Sequence, residues 1–175
     1  MGADERSTIA GPDRAGAMAT RRLPISHGLH AAADVGGAPD HQTVILMHGG
    51  GQTRHSWGGA MRELVGAGYH VINLDARGHG DSDWDPDGDY TLQAFSADLL
   101  AIIASLPRPP ALVGASLGAA TALYTVGQAN APDVTALVLV DLVPRVEAEG
   151  SQRIQAFMRA RPEGFATVGE AADAV

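Results

Sequence analysis

Short apolar runs that alternate with stretches of helical periodicity limit most strongly how this chain can fold. The runs are residues 43–47 (TVILM), 70–74 (HVINL), 111–113 (ALV) and 135–140 (TALVLV). They are too short for typical helices and carry little polar alternation, as expected of strands that are covered on both faces. Their alternation with helical segments predicts an α/β fold with a mostly parallel sheet flanked by helices.

The intervening segments carry apolar residues at helical spacing. The clearest stripe follows Thr91, which is placed to cap the helix, and it ends before Pro107. The helix that follows residue 116 contains small residues, which would let its backbone pack close to the sheet. The predicted helices cover residues 57–68, 92–106, 117–128, 153–161 and 168–175, and residues 24–35 are a weaker candidate for an outer strand.

Three regions follow from this pattern. Residues 1–22 lack any apolar run and are predicted to be a flexible tail, without a secretory signal. Residues 23–144 carry the strands and helices of the core, and residues 145–175 carry two short helical segments. The last of these helices has only a few residues before the sequence stops at position 175, so we interpret the chain as a fragment cut within an element.

Composition narrows the function. The 20 acidic and 12 basic side chains give a net charge of -8, which disfavours nucleic acid as a partner. There is no cysteine, so disulfides and thiolate metal sites are excluded, and a reducing cytoplasm is the expected location. The apolar stretches are too short and too interrupted to span a membrane. We expect no metal and no cofactor, and a small molecule as the partner.

The pentapeptide at residues 114–118, GASLG, matches the G-x-S-x-G pattern of a serine nucleophile. It directly follows a predicted strand and opens a predicted helix, which is the context that this motif needs. A sharp turn there would present Ser116 at a helix N-terminus, where developing negative charge is stabilised. The alternative, a serine that only tightens a turn, is less consistent with this context.

A glycine-rich segment at residues 48–51, HGGG, follows the first predicted strand. Acyl transfer needs two backbone N–H donors for the oxyanion, and here Gly50 or Gly51 would supply one and Leu117 the other. The segment lacks the glycine pattern of a phosphate-binding loop. His48, His55 and Trp57 are candidates for lining a pocket, although His48 could instead brace the loop and the other two could simply begin the next helix.

These two motifs, with DARGHGDS at residues 75–82 between them, resemble the α/β-hydrolase superfamily in order and spacing. The resemblance, over residues 23–175, is to members with a serine nucleophile and a helical cap. It implies that residues 75–82 are scaffolding, that the sheet here is truncated before its last strands, and that residues 145–175 begin the cap. Asp141 matches the position of the triad acid in some members, while others place the acid further along the chain.

The serine narrows the chemistry that the resemblance implies. Members that open epoxides or displace halide use an aspartate as the nucleophile, whereas a serine implies acyl transfer to a small ester, a lactone or a related substrate. All seven histidines precede Ser116, although the family's catalytic histidine follows the nucleophile. We therefore expect little or no turnover by this chain alone, and an open sheet edge at residues 135–140. A cofactor-free haloperoxidase or perhydrolase and a non-catalytic ligand-binding protein remain alternatives.

Overall fold

In the residues that the computed structural model describes, 18–143 and 148–174, six strands form one mixed sheet. The strands are Ala19–Pro24 (β1), His30–Gly36 (β2), Thr43–Met47 (β3), His70–Leu74 (β4), Ala111–Ala115 (β5) and Ala136–Val140 (β6).

The strand order is β1-β2-β4-β3-β5-β6. Strands β3 to β6 run parallel to one another, whereas β2 pairs antiparallel with both β1 and β4. The carboxyl ends of β3, β4, β5 and β6 therefore lie along one edge of the sheet, where the polar and glycine-rich segments of the chain follow them.

Helices connect the parallel strands. Gly58–Gly66 (α1) follows a 3₁₀ turn at Arg54–Trp57 and leads to β4, Leu92–Ala104 (α2) precedes β5, and Leu117–Val126 (α3) joins β5 to β6. Thr91 caps α2 as predicted, because its Oγ1 accepts the Ala94 amide at 3.3 Å.

Side chains of the central strands alternate between two apolar clusters. Ile45 and Met47 of β3 belong to a cluster that includes Leu99 of α2. Val44 and Leu46 of the same strand belong to a second cluster, which is built around α1. Both faces of the central strands are therefore covered, as their apolar sequences predicted.

The four predicted strands are confirmed, with β5 two residues longer and β6 one residue shorter than expected. The strand predicted at 24–35 is present only in the second half of that range, as β2, and β1 was not predicted; the two strands form a hairpin around a 3₁₀ turn at Ser26–Gly28. The predicted tail is also too long, since residues 19–22 lie in β1. Residues 1–17 of the predicted tail lie outside the described residues.

The reason for this error is the exposure of β1. Arg21 and Arg22 are exposed on this outermost strand, so β1 needs no apolar pattern and leaves little sequence signal. In β2, Ala31, Ala32 and Ala33 are buried, although alanine has a weak preference for strands. Tertiary packing determines the structure of both strands.

Residues Val143–Val175 form a second compact unit. It contains Ala148–Arg159 (α4), which begins earlier than the predicted helix, and Val168–Asp173 (α5). Thr167 caps α5, because its Oγ1 accepts the Glu170 amide at 3.1 Å. That this unit begins a cap remains a prediction. None of the helices in the two described stretches has the length and apolar character that crossing a membrane requires.

Candidate active site

Ser116 lies in a sharp turn between β5 and α3. Strand β5 ends at Ala115 and helix α3 begins at Leu117, so a single residue makes the turn. Ser116 has φ of 46° and ψ of -105°, a conformation that non-glycine residues rarely adopt, and its side chain is exposed. Its amide donates to the Val140 carbonyl of β6 at 3.0 Å, which holds the turn against the neighbouring strand.

The two glycines of the pentapeptide are required by close packing. A Cβ on Gly118 would lie 2.5 Å from the Met47 carbonyl oxygen at the end of β3. A Cβ on Gly114 would collide with the backbone of Gly118 itself. The spacing of the glycines on either side of Ser116 therefore follows from contact between β5, α3 and β3.

The glycine-rich segment at residues 48–51 packs directly against this turn. The Gly118 amide donates to the His48 carbonyl at 3.1 Å. A Cβ on Gly49 would lie 3.5 Å from the Ser116 Cβ, and one on Gly50 would lie 3.9 Å from the Leu117 Cβ. The structure thus brings together Ser116, Leu117 and Gly50, which the sequence placed in one site.

The backbone amides of this segment differ in their hydrogen bonds. The Gly49 amide donates to Gln52 Oε1 at 3.1 Å, and the Gly51 amide donates to His79 Nε2 at 3.3 Å. Among the described residues, the Gly50 and Leu117 amides have no acceptor. Of the two glycines that the sequence left as alternatives, Gly51 has its N–H occupied and Gly50 has its N–H available.

His48 braces the backbone of the glycine-rich segment. Its Nδ1 donates to the Gly49 carbonyl at 2.7 Å, and its Nε2 accepts the Ala76 amide at 3.0 Å. Burial lowers its pKa from the ordinary value, which favours the neutral ring that these two bonds require. His48 is buried and lines a cavity of about 40 Å3 together with Leu117 and Thr121.

His55 and Trp57 lie in other surroundings. His55 is exposed and lines a groove of about 390 Å3 together with Asp34 and Arg62. Trp57 packs against the apolar cluster around Met61 of α1. The structure therefore places both residues beside α1, and neither lines the cavity that contains His48 and Leu117.

Asp141 follows the strand next to the serine turn. Ala115 pairs with Val140, so Ser116 and Asp141 leave adjacent strands at the same edge of the sheet. Asp141 is exposed and has φ of 53°, in the left-handed region that aspartate tolerates better than most residues. Asp141 therefore directly follows its strand, as the sequence predicted, and its role as a triad acid remains a prediction.

No histidine in the described part of the chain hydrogen-bonds to the Ser116 hydroxyl. His79 bonds to the glycine-rich segment and not to the serine turn. Its Nε2 accepts the Gly51 amide at 3.3 Å, and its Nδ1 donates to the Arg77 carbonyl at 3.0 Å. Both of its ring nitrogens are thus occupied by backbone groups. Within residues 18–143 and 148–174, no three His, Cys, Asp or Glu side chains are arranged to hold a metal ion.

A charged cluster lies near the glycine-rich segment, with Asp75 Oδ1 at 4.0 Å from His48 Nε2, and the sequence did not predict it. Arg54 is buried and pairs with Asp75, with Asp81 at 2.8 Å and with Asp34 at 3.2 Å. Burial alone would lower the Arg54 pKa, but the hydrogen bonds to Asp81 and Asp75 raise it. Asp75 Oδ1 also accepts the Arg54 amide at 2.6 Å. The available signal was an aspartate directly after a buried strand.

Residues 44–174 match the model of the alpha/beta hydrolase family. The chain belongs to the α/β-hydrolase family. Its six-stranded sheet, with helices on both faces, agrees with the α/β fold that the sequence predicted.

Several α/β-hydrolase relatives resemble parts of the chain. Esterase Rv0045c of Mycobacterium tuberculosis is 42% identical over 58% of this chain and 33% of its own length. The mouse (Mus musculus) sn-1-specific diacylglycerol lipase ABHD11 is 34% identical over 80% of this chain and 43% of its own length. Among solved structures, the thioesterase domain from the curacin biosynthetic pathway is 28% identical, with a TM-score of 0.67 over 81% of this chain and 50% of that one. The chain spans 33% to 50% of the length of these three proteins.

Proposed function

We propose that this chain carries the nucleophile and the oxyanion hole of a serine hydrolase that acts on a small ester, a lactone or a related acyl compound. One observation carries the proposal. Ser116 occupies a strained turn at the N-terminus of α3, Gly50 packs against Leu117 in this turn, and the amides of Gly50 and Leu117 have no acceptor among the described residues. Two such donors match what a tetrahedral oxyanion requires.

The proposed chemistry has two steps. The Ser116 Oγ attacks the acyl carbonyl carbon, its proton passes to a base, and the carbonyl oxygen becomes an oxyanion that the Gly50 and Leu117 N–H groups bind. Collapse of this intermediate breaks the bond to the leaving alkoxide, which takes up a proton. Water then attacks the acyl-serine, releasing a carboxylic acid and restoring the serine hydroxyl.

A serine nucleophile favours acyl transfer over attack on an alkyl carbon, the reaction that opens an epoxide or displaces a halide. A serine alkoxide that adds to a carbonyl forms an acyl ester, which water can hydrolyse. Attack on an alkyl carbon would leave a stable ether, so hydrolases of that type need a carboxylate nucleophile. The relatives named as an esterase and a lipase, and the structural neighbour named as a thioesterase, are in line with this choice.

We further propose that Asp141 is the triad acid and that the general base comes from outside residues 1–175. In the family, the base follows the nucleophile in the chain, whereas all seven histidines here precede Ser116. His48 and His79, the histidines of the two motifs beside the site, bond to backbone groups through both ring nitrogens. Loss of one triad member leaves roughly 10³- to 10⁴-fold catalysis over water, from the oxyanion hole and binding.

Hydrolysis of p-nitrophenyl acetate by the 175-residue chain and by its Ser116→Ala variant tests this proposal. We expect slow turnover, and an acetyl group on the Ser116 peptide after an acid quench, because p-nitrophenolate leaves without needing a proton, whereas hydrolysis of the less reactive ester at Ser116 needs a base to activate water. Ser116→Ala removes the acetylated peptide. Acetyl groups spread over other nucleophiles, with no preference for Ser116, would contradict the assignment of the nucleophile. Rapid Ser116-dependent turnover would contradict the proposed origin of the base.

A further inference from the structure

We infer that His79 is a positioning residue, which fixes the orientation of the glycine-rich segment so that the Gly50 amide is the one left for the oxyanion. The inference rests on the proposed ester hydrolysis at Ser116. His79 lies in the segment of residues 75–82, for which the sequence suggested only a scaffolding role.

The bonds of His79 allow one form of its ring. The Arg77 carbonyl oxygen lies 3.0 Å from His79 Nδ1 and can only accept a hydrogen bond, so Nδ1 must carry the proton. The Gly51 N–H lies 3.3 Å from His79 Nε2 and can only donate, so Nε2 must be unprotonated. The bonded ring is therefore neutral, with its proton on Nδ1. It links a backbone carbonyl on one side to a backbone amide of the glycine-rich segment on the other.

The carbonyl that holds His79 is itself fixed. Arg77 is only 1% exposed, and its guanidinium donates to Asp98 at 2.6 Å and to Asp85 at 3.0 Å. Charge-assisted bonds of this kind restrain the backbone on which they are built. His79 consequently reaches Gly51 from a rigid support.

The glycine-rich segment needs such a restraint. Gly50 and Gly51 are exposed, and Gly51 has φ of 72°, so neither side-chain packing nor a common backbone conformation fixes this peptide. Gln52 binds the Gly49 amide and His79 binds the Gly51 amide, which holds the chain on both sides of Gly50. Without the His79 acceptor, the peptide group between Gly50 and Gly51 loses this restraint, and we expect the preceding peptide group, which carries the Gly50 N–H, to be held less firmly.

Amide hydrogen exchange, measured by NMR on the 175-residue chain, tests this inference. The variants are His79→Ala, which removes the acceptor, and His79→Gln, whose amide oxygen can accept at the position of Nε2. The matched control is His41→Ala, an exposed histidine that precedes β3. The amide of Ile45, in the buried strand β3, reports whether each variant is folded.

We expect Gly51 exchange to be roughly threefold to tenfold faster in His79→Ala, which corresponds to the loss of one hydrogen bond. Exchange should return toward the wild-type rate in His79→Gln and stay unchanged in His41→Ala. Equal Gly51 exchange in wild type and His79→Ala, or no recovery in His79→Gln with Ile45 still protected, would overturn the inference. Should His79→Ala unfold, His79→Phe, which fills the space of the ring but accepts no hydrogen bond, takes its place, and Gly51 exchange equal to that of the wild type would then overturn the inference.

The rate at which a fluorophosphonate labels Ser116 separates this inference from the proposed function. Labelling should slow in His79→Ala and recover in His79→Gln, because the displaced Gly50 amide no longer stabilises the oxyanion. An unreactive Ser116 in every variant, combined with the expected change at Gly51, would overturn the proposed function. Normal labelling in His79→Ala together with unchanged Gly51 exchange would overturn only the role of His79.

Discussion

Strain at Ser116 is maintained because the groups around it fix the chain on both sides of the turn. The Ser116 amide is bonded to β6, and the amide of Gly118 is bonded to the end of β3. A residue keeps a sparsely populated backbone conformation only when several interactions with the surrounding structure hold it there. The same bonds set the distance between the serine and the glycine-rich segment, so the strain and the geometry of the site have one origin.

Substitution at Gly118 should therefore destabilise the protein. Gly118→Ala places a Cβ 2.5 Å from the Met47 carbonyl oxygen, which is backbone and cannot move away easily. We expect a loss of about 1 to 3 kcal/mol in the free energy of unfolding, typical of an overpacked core, in urea titrations.

Gly59 provides the matched control for this substitution. It lies in α1, and a Cβ there would meet nothing within 4 Å. Gly59→Ala should leave stability unchanged or raise it by up to about 1 kcal/mol, because alanine favours the helix. Equal effects at positions 118 and 59 would contradict the close packing of the serine turn.

At the scale of elements, the segment between β4 and α2 is held by a buried ion pair. Asp98 of α2 accepts two bonds from Arg77, at 2.6 Å each, and one from the Ser26 hydroxyl at 2.6 Å. This contact joins the turn after β4 to α2 and to the loop between β1 and β2. It therefore fixes the Arg77 backbone, whose carbonyl accepts the hydrogen bond from His79.

Asp98→Ala should lower the free energy of unfolding by about 3 to 5 kcal/mol, because the buried Arg77 charge loses its main partner. Thermal or urea unfolding measures this change. Arg22→Ala, which breaks an exposed ion pair with Asp83, is the control and should have a much smaller effect. A small effect of Asp98→Ala would mean that Arg77 finds other partners or water.

The sequence predicted those elements whose formation depends on local pattern. Strands β3 to β6 and helix α2 carry continuous or periodic apolar residues, and the glycines around Ser116 occur at the spacing that the turn requires. Strands β1 and β2 were not separated, because exposed arginines and buried alanines give no strand pattern. Their structure depends on pairing with each other and with β4.

Prediction of the site has a similar limit. The sequence placed Ser116, Leu117 and the two candidate glycines in one site, because their placement depends on neighbours in the chain. It could not choose between Gly50 and Gly51, since the choice depends on His79, which lies 28 residues away from Gly51. His55 and Trp57 were expected to line a pocket or to begin a helix, and the structure places them beside α1.

For the whole molecule, the two outer strands of the sheet differ in character. In the described residues, β6 pairs only with β5, and Val138, Leu139 and Val140 are 46%, 38% and 42% exposed. Strand β1, at the opposite edge, carries exposed arginines and ends in a proline, features that discourage pairing with another chain. An apolar edge such as β6 favours self-association.

Sedimentation analysis over a range of concentrations tests this difference. We expect the 175-residue chain to self-associate, and Val138→Lys to weaken the association by placing a charge on the open strand. Thr20→Lys on β1 is the control and should leave the association unchanged. A chain that stays monomeric at all concentrations, or a Val138→Lys variant that associates like the wild type, would contradict a role for β6.

The role of Ser116 is tested most directly by mapping where a fluorophosphonate reacts with the folded chain, and how fast. Ser56 is the internal reference, because it is exposed, lies outside the serine turn, and its hydroxyl donates to the Thr53 carbonyl at 2.8 Å. One oxyanion donor contributes roughly 10²- to 10³-fold, so Ser116 should be labelled at least about 100-fold faster than Ser56. Equal labelling of the two serines would mean that the turn and its free amides do not form a nucleophile site.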